Sequence, residues 1–245
     1  MRFLILVLLS VWTMGPALAA GSVEERFEDG QRYLRRGYYT KALEEFQAIR
    51  NHHREHPMSI LSELAIADVY YDQGEWDLAR VSYADFQRLH PRHEKLDYVV
   101  YKLGLASWEK ASRIADRDQT WTRQAVNTWS NFPQRFPESE HLDEVVGLLE
   151  SSRNRLARKE LRIARFYYKR DAHVASIGRL DGLLTQYPES PDVPQAIAML
   201  AVSLEQTGEL ERAAEMAAAL SENHPEAKKA HRHLRWRYSA TDSEL

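Results

Sequence analysis

The chain has 245 residues, 33 Lys and Arg against 36 Asp and Glu, a net charge of −3 and no cysteine. That balance lacks the basic footprint of a nucleic-acid binder, and without thiols there can be no disulfide staples, thiol catalysis or thiolate metal sites. Stability has to come from packing alone.

At the start of the chain, Arg2, the apolar run Phe3 to Trp12 and the small-x-small sequence Ala17-Leu18-Ala19 form the three parts of a secretory signal. Residues 1–19 are therefore expected to be removed on export, leaving a mature chain that begins at Ala20. The run is too short for a bilayer core, which takes about 20 apolar residues.

Beyond the signal one pattern keeps returning. A small residue is followed by apolar residues at +4 and +7 and by proline at +12, as in Ala79, Tyr83, Phe86, Pro91 and in Ala125, Trp129, Phe132, Pro137. Ser176, Leu180, Leu183, Pro188 and Ala213, Ala217, Leu220, Pro225 repeat it. Twelve positions upstream stands another small residue with a large one at +3: Gly30 and Tyr33 before Ala42, Ala67 and Tyr70 before Ala79, Ala164 and Tyr167 before Ser176, Ala201 and Leu204 before Ala213. Gly37, Gly74 and Gly208 each lie five residues before their alanine, where a chain must turn between two helices. Small side chains suit a close helix crossing, aromatics fill the holes beside it, and proline stops the second helix. The pattern resembles the tetratricopeptide repeat (TPR), a helix-turn-helix unit of about 34 residues.

In chain order, the repeats are expected at about 23–57, 60–93, 97–137, 157–190 and 194–227, within one TPR domain of residues 20–240. The first has Arg54 where the others carry proline, and Pro57 is taken as its late stop. The third is stretched, its Gly104 and Ala125 standing 21 apart, with the extra residues in a polar loop around Glu109 to Thr120 that contains Asp116-Arg117-Asp118. An added helical stretch, Leu142 to Arg155, should run on through Tyr168. Residues 227–238 should form a capping helix, since a last repeat otherwise exposes an apolar face. The expected fold is all-α, a right-handed TPR superhelix of about ten to twelve helices.

Chemistry is sparsely signalled. His52 and His56 have i,i+4 spacing and His231 and His233 are two apart, but no carboxylate or histidine completes an H-E-x-x-H pattern. Ser107-Trp108-Glu109-Lys110 matches S-x-x-K without its companion motifs and reads as coincidence. No metal, cofactor or catalytic residue is expected. Tyr70, Tyr83, Trp76 and Trp129 hold packing positions, whereas Tyr38, Tyr39, Tyr98, Tyr101 and Tyr168 are less constrained and could line a groove for extended peptides. Between Arg153 and Arg170, Arg155, Arg158, Lys159, Arg162, Arg165 and Lys169 fall on one helical stripe. Two readings stay open for it: a solvated face, or a docking strip for an acidic partner or anionic head groups.

With the repeats placed, the chain resembles the BamD family, the TPR subunit of the machine that assembles β-barrel proteins into the bacterial outer membrane. The resemblance covers residues 24–225. It is strongest from Leu89 to Gly104, through His90-Pro91-Arg92-His93-Glu94-Lys95-Leu96-Asp97-Tyr98, in Asp116-Arg117-Asp118, and in Arg165-Phe166-Tyr167-Tyr168. It implies a periplasmic scaffold whose C-terminal repeats dock on a periplasmic domain of the barrel-forming subunit (BamA-like) and whose N-terminal repeats receive unfolded barrel substrates. The chain departs from the family in having His56-Pro57-Met58-Ser59 after its first repeat and no cysteine to acylate. It is therefore expected in the periplasm, peripheral to the outer membrane, unlipidated and membrane-associated only through partners. An adaptor of the Tol-Pal and cell-division type is the alternative, although that family usually carries an N-terminal coiled coil.

Overall fold

A computed structural model describes residues 21–227 together with Ala230 and Arg232; the expected signal segment and most of the expected 227–238 cap lie outside the described residues. These residues form eleven α-helices and no strand, and they divide into two compact units, one ending at Gly74 and one beginning at Glu75.

The first unit holds α1 (Val23–Arg35), α2 (Tyr39–His52) and α3 (Pro57–Asp72). A capping box starts α1: the Ser22 hydroxyl accepts from the Glu25 amide at 3.1 Å, and the Glu25 carboxylate accepts from the Ser22 amide at 3.0 Å. Where α1 crosses α2, a Cβ on Gly30 would stand 2.7 Å from the Phe46 ring, so only glycine admits the contact. Ala42, Phe46, Ala65, Ile66 and Val69 form the core, with Phe27, Tyr33, Tyr39 and Tyr70 packed around it. Pro57 does not close the first repeat as expected. It opens α3, where its missing N–H is one of the donors a helix start leaves unpaired, and the His56 ring caps the turn by accepting from the Met58 amide at 3.2 Å.

The second unit continues with α4 (Trp76–Leu89), α5 (Leu96–Lys110), α6 (Thr120–Trp129), α7 (Phe132–Arg135), α8 (Leu142–Tyr168), α9 (His173–Gln186), α10 (Val193–Thr207) and α11 (Leu210–Asn223). Helices four and five pack together, then five and six, six and eight, eight and nine, nine and ten, ten and eleven. The small residues of the pattern sit at these crossings: Ala79, Ala125, Ala164, Ser176 and Ala201 are fully buried, and the Ser176 hydroxyl donates to the Ala164 carbonyl at 3.1 Å. Leu180, Leu183, Leu200, Leu204 and Leu220 fill the space between them. Within the expected cap, Ala230 is buried against this core.

One break departs from the repeat pattern. The second helix of the third repeat stops at Trp129 and resumes as the short α7. Pro133 explains it, because proline cannot donate to the Trp129 carbonyl and its ring would collide with that carbonyl in a continuous helix. The turns behave as their glycines require, with φ of 73° at Gly37, 77° at Gly74 and 86° at Gly208. The fourth repeat places Asp171 in the same left-handed region, at φ 55°. Replacing Asp171 by glycine should therefore raise stability by about 0.5–1 kcal/mol, read as a small upward shift of the thermal midpoint; an unchanged or lower midpoint would show that the turn carries no strain.

Candidate partner-binding site

The basic stripe lies on α8, one continuous helix of 27 residues. Val145, Leu149, Ser152, Leu156, Ala157, Leu161 and Ala164 recur at helical spacing and are buried, which fixes the face that the charged residues flank. The loop 111–119 between α5 and α6 returns across this helix. Its organiser is Gln119, fully buried, whose amide nitrogen donates to the Ser112 carbonyl at 3.2 Å and the Ile114 carbonyl at 2.8 Å, while its oxygen accepts from the Thr122 hydroxyl at 2.5 Å. The Thr120 hydroxyl donates to Asp118 at 2.9 Å, and that hydrogen bond, above the other influences, holds the Asp118 carboxyl below its ordinary range.

Four of the six stripe cations are engaged inside the molecule. Arg155 lies over the Trp108 ring, 4.1 Å from its centre, and donates to the Ser112 carbonyl at 3.4 Å. Arg158 pairs with Asp192 at 3.2 Å, Lys159 donates to the Arg117 carbonyl at 3.3 Å, and Arg162 pairs with Asp116. Part of the stripe is thus engaged with the loop, through Arg155, Lys159 and Arg162. Arg165 and Lys169 have no ion pair among the described residues. Of Asp116, Arg117 and Asp118, the first meets α8 by its side chain, the second by its carbonyl, and the third caps the turn into α6.

Between loop and helix a cleft of about 450 Å³ remains, lined by Arg113, Ile114, Ala115, Ser151, Asn154, Arg155, Arg158 and Arg162. Burial, and then the charge of Arg113, hold the Arg155 guanidinium below its usual value. Asn154 also lines a second hollow of about 670 Å³ with Pro133, Val146, Leu149, Arg153, Tyr187 and Pro188, and with Glu150 and Glu189, whose carboxylates disfavour a second acid there and leave the hollow to an uncharged side chain. Arg113, Trp108 and Gln119 are unmarked in the sequence, because none shares the stripe's periodicity and only the fold brings them to it.

The five tyrosines are divided between the two units. In the first unit Tyr38 is 55% exposed and Tyr39 donates to the Asp72 carbonyl at 3.0 Å, both beside a shallow hollow of about 310 Å³. In the second, Tyr101 stacks on His141 with ring centres 4.3 Å apart and donates to Glu144 at 2.9 Å, while Tyr98 tilts against the same histidine at 5.8 Å. Tyr168 is half-buried, packs on the core and edges against His173. His56 spends its second nitrogen on Glu24 at 3.1 Å, and His231 and His233 lie outside the described residues. Buried Ser107 donates to the Leu103 carbonyl and Lys110 pairs with Asp77, so no Ser–Lys couple forms.

A family model described as "YfiO: Outer membrane lipoprotein" matches residues 19–229. A protein of Neisseria meningitidis named outer membrane protein assembly factor BamD is 26% identical over 215 residues, covering 84% of this chain and 80% of its own length. The protein of the same name from Pasteurella multocida is 29% identical over 212 residues, covering 82% and 80%. The one from Vibrio cholerae is 26% identical over 191 residues, covering 74% and 79%.

Proposed function

The chain belongs to the YfiO family, and from that premise we propose that it is a periplasmic TPR scaffold that binds protein partners during outer-membrane protein assembly. The observation that carries this reading is the extent of the family match, which runs through every helix from α1 to α11 and so spans both packed units. It works by binding, and its polar networks serve structure: Gln119 holds a loop, Ser176 a helix crossing, Ser107 its own helix. The direct partner is proposed to be the barrel-forming subunit of the assembly machine, engaged by the second unit through the α8 face. Unfolded barrel segments are proposed to meet the first unit near Tyr38 and Tyr39.

No helix among the described residues is long and apolar enough to cross a membrane. We place the protein on the periplasmic face of the outer membrane, held there by protein contact. Affinity purification of the tagged full chain from its native envelope should recover the barrel-forming subunit, and high salt should release the protein from the membrane fraction, because charge contacts at an exposed interface are screened within about 10 Å at 0.1 M salt and less above it. Recovery of Tol-Pal components in place of the assembly machine would overturn the functional assignment. Retention in high salt would overturn the attachment by charged protein contact.

A further inference from the structure

The cleft between the 111–119 loop and α8 concentrates positive charge in a concave space. Four guanidinium groups line it, and only two meet carboxylates: Arg158 with Asp192 and Arg162 with Asp116. Arg113 and Arg155 have no carboxylate partner among the described residues. Each additional like charge in a partly enclosed site raises the electrostatic cost of the empty state, and an incoming anion removes it. Beside the charges stands Ile114, 51% exposed on the loop, and Asn154 joins this cleft to the hollow where Val146 is 45% exposed beside Leu149 and Tyr187.

We propose that this cleft is the binding site for an acidic segment of a protein partner, with an aspartate or glutamate side chain held by Arg113 and Arg155 and a neighbouring apolar side chain resting in the adjoining hollow. A guanidinium offers paired donors that match the two oxygens of a carboxylate. The volume, about 450 Å³, suits one or two side chains, and a concave cleft between a loop and a helix does not present its charges to the flat surface of a bilayer. Ser151 and Asn154 supply polar groups for the backbone of such a segment. The inference deepens the scaffold reading and rests on it for the biological partner, though not for the chemistry of the cleft.

Arg113 is the residue to change. It is exposed and makes no hydrogen bond or ion pair among the described residues, so Arg113→Glu should fold with a melting midpoint no lower than that of the wild type, since it only relieves repulsion on Arg155, whereas Arg155 also supports Trp108 and the loop. The probe is a short fluorescent peptide of alternating leucine and glutamate, titrated with the purified full-length protein at low salt. The expected result is saturable binding that is weaker by about tenfold or more for the peptide with glutamine in place of glutamate, weaker to a similar degree for Arg113→Glu, and progressively lost as salt is raised. Absence of saturable binding, equal binding of the glutamine peptide, or no effect of Arg113→Glu would overturn the proposal. So would binding to phosphatidylglycerol vesicles that Arg113→Glu abolishes while peptide binding does not change. If the peptide fails yet the assembly machine still co-purifies with wild-type protein, the cleft assignment falls and the scaffold function stands. If the peptide binds as expected and the machine does not co-purify, the reverse holds.

Discussion

Replacing Gly104 by alanine should destabilise the second unit by about 3 kcal/mol, a fall of roughly 10 °C in its thermal midpoint. A Cβ at this position would lie 2.1 Å from two atoms of the Trp129 indole, far inside any van der Waals contact. The indole cannot retreat: it is fully buried, and its nitrogen donates to the Tyr101 carbonyl at 3.3 Å. Helices α5 and α6 would have to part, which opens voids elsewhere in a close-packed core. Alanine's better helix propensity offsets only about 1 kcal/mol of this. Gly147, inside α8 with open space around its missing Cβ, is the matching control, and Gly147→Ala should gain about 1 kcal/mol. A steric cause also predicts coupling. Trp129→Leu in the Gly104→Ala background should cost less than it does alone, and simple additivity of the two losses would show that the crossing is not where the energy lies.

The same crossing shows what a sequence discloses. Gly104 and Trp129 are legible as partners because the repeat places a small residue on one helix opposite a large one on the next, and the pattern reports local periodicity. Ala79, Tyr83 and Phe86 are all buried for that reason. The α6–α7 break was available in principle, since Pro133 interrupts the run, but the surrounding pattern of Ala125, Trp129 and Phe132 continues smoothly across it and masks the signal. The site was less legible. Six cations on one face of α8 could be read directly, whereas what meets them could not: the partners of Arg155, Lys159 and Arg162 lie 43, 42 and 46 positions away, in a loop with no periodicity of its own. Loop residues acquire meaning only from where the chain returns, so Arg113 and Gln119 carried no mark. For the tyrosines, position in a repeat does not distinguish a ring facing a hollow from one resting on the core, as half-buried Tyr168 does.

Gln119 provides the second large effect, because that one side chain closes the loop that builds the cleft. Gln119→Leu keeps the volume but removes one of two donors from each of the Ser112 and Ile114 carbonyls, leaving Arg155 and the Arg117 amide, and takes the acceptor from the Thr122 hydroxyl, which is itself fully buried. A buried polar group left unmatched costs about 1–3 kcal/mol, and the carbonyl of exposed Ile114 can turn to water, so the total should be about 2–3 kcal/mol. The loss should be local as well as global. Amide exchange across residues 111–119 should quicken while the α10 core, packed on both sides, keeps its protection. Ile114, Ala115 and Arg113 move with the loop, so acidic-peptide binding should weaken although no cleft-lining residue has been changed. Adding Thr122→Val to Gln119→Leu removes the orphaned hydroxyl, and replacing both members of a buried hydrogen bond by apolar groups is nearly neutral. The double variant should therefore recover part of the stability but none of the loop protection, since the Ser112 and Ile114 carbonyls, though still met by Arg155 and by the Arg117 amide, have lost the one side chain that ties them together. If the double variant instead recovered both, the loop would owe its position to packing, with Arg155, Lys159 and Arg162 merely meeting a surface that was already there.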